Sequence, residues 1–160
     1  MDPQIGGMGT AEWQTWTPSN ILIPKATEAF TPAAQAYFKN RKLNRSAPPG
    51  YLDTADGEYT RSGSIYARRM KRDGSYPTAD DEQHLVRHEL LHAASAEHAP
   101  FLADYNAGLP ALRKALADSG WAIPAAVEND PAHIFTGAAE AVILGNAPPA
   151  LRGYFAPLLR

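Results

Sequence analysis

The sequence predicts a single small α+β domain in which strands come first and helices follow. Its length of 160 residues suits one ordinary domain. Hydrophobic residues make up 44% of the chain and charged residues 20%, which is typical of a globular protein. The convincing strand signals precede a series of segments that begin with helix caps. We therefore place one domain at residues 21–160, after an irregular, glycine-containing arm at residues 1–20.

Two segments are predicted ahead of the main strand region. Residues 20–24 form a short apolar run that we predict to be a strand. Thr31 followed by Pro32 is an N-cap with proline at the first helical position, and it predicts a helix through about Lys42. The apolar face of this helix is predicted to consist of Phe30, Ala33, Ala36 and Tyr37.

A β-hairpin is predicted next. Residues 58–60 and 64–68 have strand character and flank a short turn that contains Gly63. Residues 73–75, with the sequence Asp-Gly-Ser, predict a further turn before the first long helix.

The second half of the chain is predicted to be helical. Helices are predicted at residues 81–96, 110–118 and 131–144, with a last one from about Pro149. Thr78 and the acidic residues 80–81 provide the start signals of the first of these helices, and Asp130 caps the third. Gly120 and Gly145 are predicted to end the second and third helices.

Composition excludes several classes of function. The net charge of -2 and the pI near 6.2 give no electrostatic reason to expect nucleic-acid binding. Because the chain has no cysteine, disulfides, iron–sulfur clusters and thiolate zinc sites are excluded, and a metal must bind to histidine, carboxylate or carbonyl groups. We find neither a membrane-spanning stretch nor a signal peptide, and expect a cytoplasmic, phage-associated or virion-associated protein.

The segment that carries chemistry is His88-Glu89-Leu-Leu-His92 on the predicted helix over residues 81–96. Residues four apart lie on one face of a helix, so His88 and His92 can bind one metal ion from the same side. Glu89 then lies beside the metal, where it can accept a proton from an activated water molecule. Several residues form the apolar partner face of this helix: Leu85, Leu90, Ala93 and Ala94.

This segment resembles the active-site helix of the zincin metallopeptidases, which carry His-Glu-x-x-His. The resemblance implies a zincin-like minimal metallopeptidase domain with a small sheet packed on the active-site helix. It implies Zn²⁺ as the cofactor, His88 and His92 as metal ligands and Glu89 as the catalytic base. In zincins an edge strand before this helix holds the substrate, and residues 64–68 are the candidate for it here. Beyond the helix, the resemblance covers residues 50–145 only in the order of elements.

A catalytic zinc site usually has three protein ligands, and the favoured third ligand is Glu140. Glu140 is the one carboxylate on an apolar, small-residue helix, where a buried charge requires a partner or a metal. Residues 137–139 and Ala141 are small enough to let this helix approach the active-site helix closely. Glu140 also resembles the third ligand of the gluzincin branch, although Leu144 occupies the position where that branch often has a further acid.

The main alternative third ligand is His98. Its spacing from His88 and His92 is similar to that of the metzincin branch, but Ser95 replaces the glycine of that branch and no methionine follows Met70. His98 can equally lie just past the end of the helix. Asp104 and His133 are lesser candidates, and His133 can also line the cleft.

Some further residues near the motif have plainer interpretations. His84, one turn before His88, is predicted to be an exposed or supporting residue because leucine follows it. Three tyrosines are candidates to stabilise a developing oxyanion, although core packing is the default for each: Tyr66, Tyr105 and Tyr154.

The predicted function is hydrolysis of peptide bonds by a zinc-activated water molecule. A protein substrate and a cell-wall peptide both suit a chain of this size, and neither nucleic acid nor a membrane is an expected partner. Two alternatives remain open: a catalytically weak or inactive zincin-fold structural or binding protein that is phage- or virion-associated, and a module whose cleft captures a partner peptide.

Overall fold

The computed structural model describes residues 18–44, 57–60, 63–67, 73–75, 77–102, 105–118, 120, 130–145 and 147–160. Contacts divide the chain into two compact units, Met1–Ala26 with Lys39–Glu89 and Thr27–Phe38 with Leu90–Arg160. The described elements are α1 Ser19–Ala26, α2 Pro32–Phe38, β1 Leu43–Asn44, β2 Gly57–Tyr59, β3 Ile65–Ala67, α3 Ala79–Ala96, α4 Tyr105–Asp118, α5 Pro131–Ile143 and α6 Pro149–Tyr154. The described part of the protein is thus α+β and mostly helical, with one small sheet.

The first unit contains a three-stranded sheet with the strand order β1-β3-β2. β2 and β3 pair antiparallel, with Tyr59 opposite Ile65, so the predicted hairpin is confirmed. Gly63 makes the turn possible with a φ of 83°, a conformation that suits glycine. β1 pairs with β3 in parallel. β1 has only two residues, too few to show the alternation of apolar and polar residues that would predict a strand from the sequence.

The assignment of residues 64–68 as an edge strand is wrong for the part that the structure describes. β3 lies in the centre of the sheet, with β1 on one side and β2 on the other. Its backbone N–H and C=O groups therefore pair within the sheet, whereas a strand that binds an extended peptide needs an unpaired side.

The sheet approaches α3 closely within the first unit. A Cβ atom added to Gly57 in β2 would lie 2.7 Å from Leu85 Cδ1 and 3.1 Å from the Tyr66 carbonyl oxygen. Ile65 and Ala67 of β3 and Val86 of α3 are fully buried. Glycine at position 57 thus leaves room for the Leu85 side chain of α3 against the strand.

Residues 20–24 form part of helix α1, so the strand predicted there is wrong. The helix begins with N–H donation from Ile21 and Leu22 to the Pro18 carbonyl. Leu22, Ile23 and Ala26 are buried on one helical face, although Pro24 lies inside the helix. A five-residue apolar run fits a strand or a helix equally, and here burial of that face decides for the helix.

Helix α2 has the predicted cap but a different apolar face. Thr31 Oγ1 accepts a hydrogen bond from Ala34 N at 3.4 Å. The helix ends at Phe38 rather than near Lys42, and the predicted face is wrong because Ala33 and Ala36 are exposed. The buried face contains Phe30, Ala34 and Phe38, which are spaced by four residues, and the Phe30 and Phe38 rings pack 5.9 Å apart.

The helices of the second half follow the prediction closely. α4 begins at Tyr105, before the predicted start, and contains Pro110. α4 and α5 both pack against α6, where the Phe135 and Phe155 rings lie 5.2 Å apart. Gly120 and Gly145 follow α4 and α5 with φ values of 72° and 78°. None of the helices that the structure describes combines the length and apolar character needed to cross a membrane.

The C-terminal residues pair with the segment before α2. Phe30 and Leu159 form an antiparallel bridge, and Arg160 N–H donates to the Ala29 carbonyl at 2.9 Å. Thr31 N–H donates to the Leu158 carbonyl at 2.8 Å, so the cap of α2 is also held by the end of the chain. These bonds join α2 to the C-terminal end of the same unit, which is distant from it in sequence.

We expect Gly57→Ala to lower the free energy of unfolding by about 1–2 kcal/mol, because the new methyl group overpacks the contact with Leu85. Urea denaturation measures the change. Gly153→Ala is the matched control, since a Cβ there meets nothing within 4 Å, and it should be neutral or slightly stabilising. Equal stability of the two variants would show that β2 does not pack tightly on α3.

Candidate metal centre

Helix α3 begins with a reciprocal cap. Asp81 N–H donates to Thr78 Oγ1 at 3.1 Å, and Thr78 N–H donates to the Asp81 carboxylate at 3.0 Å. Three acidic residues lie in the first turn, where they interact favourably with the helix dipole. The helix then continues without interruption to Ala96, so the predicted helical setting of His88, Glu89 and His92 is confirmed.

Burial along α3 separates the three motif residues. His88 and His92 are half-buried, whereas Glu89 is 6% exposed. The apolar face predicted for this helix is confirmed for Leu90, Ala93 and Ala94, which are fully buried; Leu91 is buried with them. The imidazoles are thus accessible, while the carboxylate between them in sequence is shielded from solvent.

The N-cap of helix α5 is Asp130. Its Oδ1 accepts the His133 backbone N–H at 3.3 Å, which caps the helix as predicted. Its Oδ2 lies 2.5 Å from His133 Nδ1. This side-chain hydrogen bond is the main cause that lowers the pKa of the Asp130 carboxyl below its ordinary value, and partial burial opposes the shift.

Three histidines converge. The His133 ring packs edge-to-face on the His92 ring, with the centroids 4.9 Å apart. Thr136, one turn further along α5 and fully buried, places Oγ1 3.5 Å from His92 Nδ1. His88 precedes His92 by one turn of α3, and one ligand nitrogen from each of the three histidines lies within 4.8 Å of the others.

The residues fit a zinc ion in number and type. Zinc bonds to imidazole nitrogen at about 2.0–2.1 Å, so tetrahedral ligand nitrogens lie about 3.4 Å apart. The three nitrogens lie within 4.8 Å of one another, at most about 1.4 Å more than that spacing, and rotation of the accessible rings can close this difference. Three neutral imidazoles also leave one coordination position for water or substrate.

Glu140 does not belong to this group of ligand atoms in the described part of the chain. It is half-buried on α5, on the same face as His133 and Thr136 but further along the helix. Its assignment as a ligand therefore stays a prediction. Gly137 is exposed and a Cβ there meets nothing within 4 Å, so the expected close helix approach does not involve this residue.

The end of α3 explains His98. Ala99 N–H donates to the Ala94 carbonyl at 3.1 Å and His98 N–H to the Ser95 carbonyl at 3.3 Å, a Schellman motif. His98 is exposed and has a φ of 50°. Ser95 is still helical and buried, and its Oγ donates to the His92 carbonyl at 3.1 Å. The chain thus turns after the position where metzincins turn, and His98 caps the helix.

Of the remaining candidates, none that the structure describes belongs to the group of three histidines. His84 is exposed, as expected, with its ring 6.5 Å from that of His88. Asp104 and the Tyr105 side chain lie outside the described residues. Tyr154 is half-buried on α6, and desolvation raises the pKa of its phenol.

His133 was only a lesser candidate from the sequence. The signal that points to it is the run Asp130-Pro131-Ala132-His133, in which one residue can both cap a helix and meet a histidine three positions later.

Comparison of the chain with protein-family models, with curated proteins and with solved structures finds no match. The resemblance to the zincins therefore rests on the motif and its helical setting.

We expect His98→Gly to raise the free energy of unfolding by about 0.5–1 kcal/mol, because glycine adopts a positive φ without strain. Zinc binding should be unchanged. The measurements are thermal unfolding and zinc content, with His84→Gly, in mid-helix, as the destabilising control. Loss of zinc in His98→Gly would assign His98 to the metal instead.

We expect Tyr154→Phe to reduce the fall in stability at alkaline pH. The folded pKa is raised, so the neutral phenol stabilises the fold below the unfolded value near 10.0, and this contribution is lost as pH rises through the folded value. Urea denaturation from pH 8 to pH 11 measures it. An unchanged difference between wild type and Tyr154→Phe across this range would contradict the burial of the phenol.

Proposed function

We propose that this chain is a zinc-dependent hydrolase that cleaves peptide bonds, with Glu89 as the general base. The observation that carries the proposal is the position of a buried carboxylate next to His88, on the helix whose two motif histidines lie close to His133. Peptide as the substrate class comes from the resemblance of the motif to the zincins, and the convergent histidines support hydrolytic chemistry in general.

Zinc, when bound, supplies a Lewis acid that polarises the substrate carbonyl and lowers the pKa of water. Glu89 accepts the proton of the attacking water as its oxygen bonds to the carbonyl carbon. Glu89 then delivers this proton to the amine nitrogen as the carbon–nitrogen bond breaks. Burial of Glu89 excludes competing solvent from this transfer.

The half-exposure of His88 and His92 and the exposure of His133 leave the metal position accessible from solvent. A site that only stabilised the fold would be enclosed by its ligands, with four protein groups. Three histidines with access for a further ligand are the arrangement that a substrate carbonyl requires.

We expect Glu89→Gln to reduce peptide turnover by about 10²–10⁴-fold while zinc content stays unchanged, because the amide cannot accept the proton. Turnover is measured on a fluorogenic peptide library and on purified cell-wall peptides, and zinc by elemental analysis. Glu28→Gln is the matched control, since Glu28 is an exposed glutamate in the turn after α1.

Two outcomes would contradict this proposal. Turnover that persists in Glu89→Gln would remove the general base from the mechanism. A wild-type protein that binds zinc but cleaves none of these substrates would favour the structural or peptide-capturing alternatives.

A further inference from the structure

We infer that Nε2 of His133 is the third metal ligand, and that Asp130 is the positioning residue that orients this imidazole. The inference rests on the metal site of the proposed function, and it replaces Glu140 as the favoured ligand. It depends on contacts among Asp130, His133, Thr136 and His92, all of which belong to the second unit.

Asp130 holds residue 133 at two points. One carboxylate oxygen accepts the backbone N–H of His133, and the other lies 2.5 Å from the ring Nδ1. A carboxylate accepts hydrogen bonds and does not donate them, so the hydrogen of a neutral His133 ring resides on Nδ1. Nε2 then keeps the lone pair that a metal needs. Such carboxylate–histidine pairs raise the basicity of a ligand and fix its orientation.

The first turns of α5 bring this nitrogen to the motif helix. His133 contacts the His92 ring, and Thr136 Oγ1 lies 3.5 Å from His92 Nδ1. Two consecutive turns of α5 therefore contact the same imidazole of α3. If the Thr136 hydroxyl accepts from Nδ1 of His92, the Nε2 atoms of both histidines are the ones available to the metal.

The same helix geometry separates Glu140 from the metal. Glu140 follows His133 by two helical turns, which is about 10 Å along the helix axis. The observed contacts with His92 come from His133 and Thr136, in the first two turns of α5. A single ion beside His92 and His133 thus lies nearer the start of α5 than the Glu140 carboxylate does.

Metal binding and the start of α5 are coupled in this arrangement. The Asp130 carboxylate that caps the helix also orients the ligand, so an ion that holds the His133 ring restrains the first turn through the same side chain. Backbone amides of that turn should exchange more slowly with solvent when zinc is present.

The test measures zinc affinity by competition with a chromophoric chelator, and the visible absorption of the Co²⁺-substituted protein, in four variants. His133→Ala should lose most of the affinity and change the Co²⁺ spectrum. Asp130→Asn should lose about 10–100-fold. Asparagine caps helices as well as aspartate does, so apo-protein thermal stability should be retained. Glu140→Gln and His98→Ala are the controls and should bind zinc as the wild type does.

The outcomes separate this inference from the proposed function. Loss of zinc in Glu140→Gln with retention in His133→Ala would overturn the ligand assignment, while Glu89-dependent turnover would still support the hydrolase. Wild-type affinity in Asp130→Asn would overturn the positioning role, and Asp130→Ser, which keeps only the cap, provides the check on that result. The predicted zinc pattern without any peptide turnover would support the ligands and refute the peptidase. A wild type that binds neither zinc nor Co²⁺ would overturn the inference.

Discussion

The hydrogen-bonded backbone of α3 between His88 and His92 is the constraint on which the candidate centre depends. One helical turn places the two imidazoles on the same side, and any break in the helix there would separate them. The reciprocal cap formed by Thr78 and Asp81 starts this helix, and the Schellman motif ends it beyond His92. The backbone groups at both ends of the helix are capped by residues outside the site, so His88, Glu89 and His92 do not cap the helix.

Capping also links α5 to the candidate centre, but in another way. Asp130 satisfies an N–H group at the start of α5 and holds the ring of His133 with the same carboxylate. A helix start is a favourable place for this pairing, because the residue three positions after the cap points back towards it. The exposed Asp130–His133 pair contributes little to stability as an ion pair, and its value lies in orientation.

The end of α3 illustrates how one sequence position decides between two geometries. Glycine at position 95 would allow a left-handed turn directly after the motif, whereas the serine present there stays helical and donates to the His92 carbonyl. The turn is then taken up by His98, at the cost of a positive φ for a non-glycine residue. His98 therefore ends the helix, and a later helix provides the imidazole beside His92.

Local signals in the sequence determined much of this protein. Thr31, Thr78 and Asp130 each mark a helix start that the structure has, and Gly63, Gly120 and Gly145 mark turns, because caps and positive φ values depend on residues next to them in the chain. The spacing of His88, Glu89 and His92 likewise determines their relative positions within one helix.

Long-range packing decided the rest. It made residues 20–24 helical, placed β3 in the centre of the sheet through β1, and chose which turn of α5 faces His92. Sequence periodicity places His133 and Glu140 on one face of a helix but does not determine which of them a neighbouring helix meets, because that depends on how far one helix is shifted along the other.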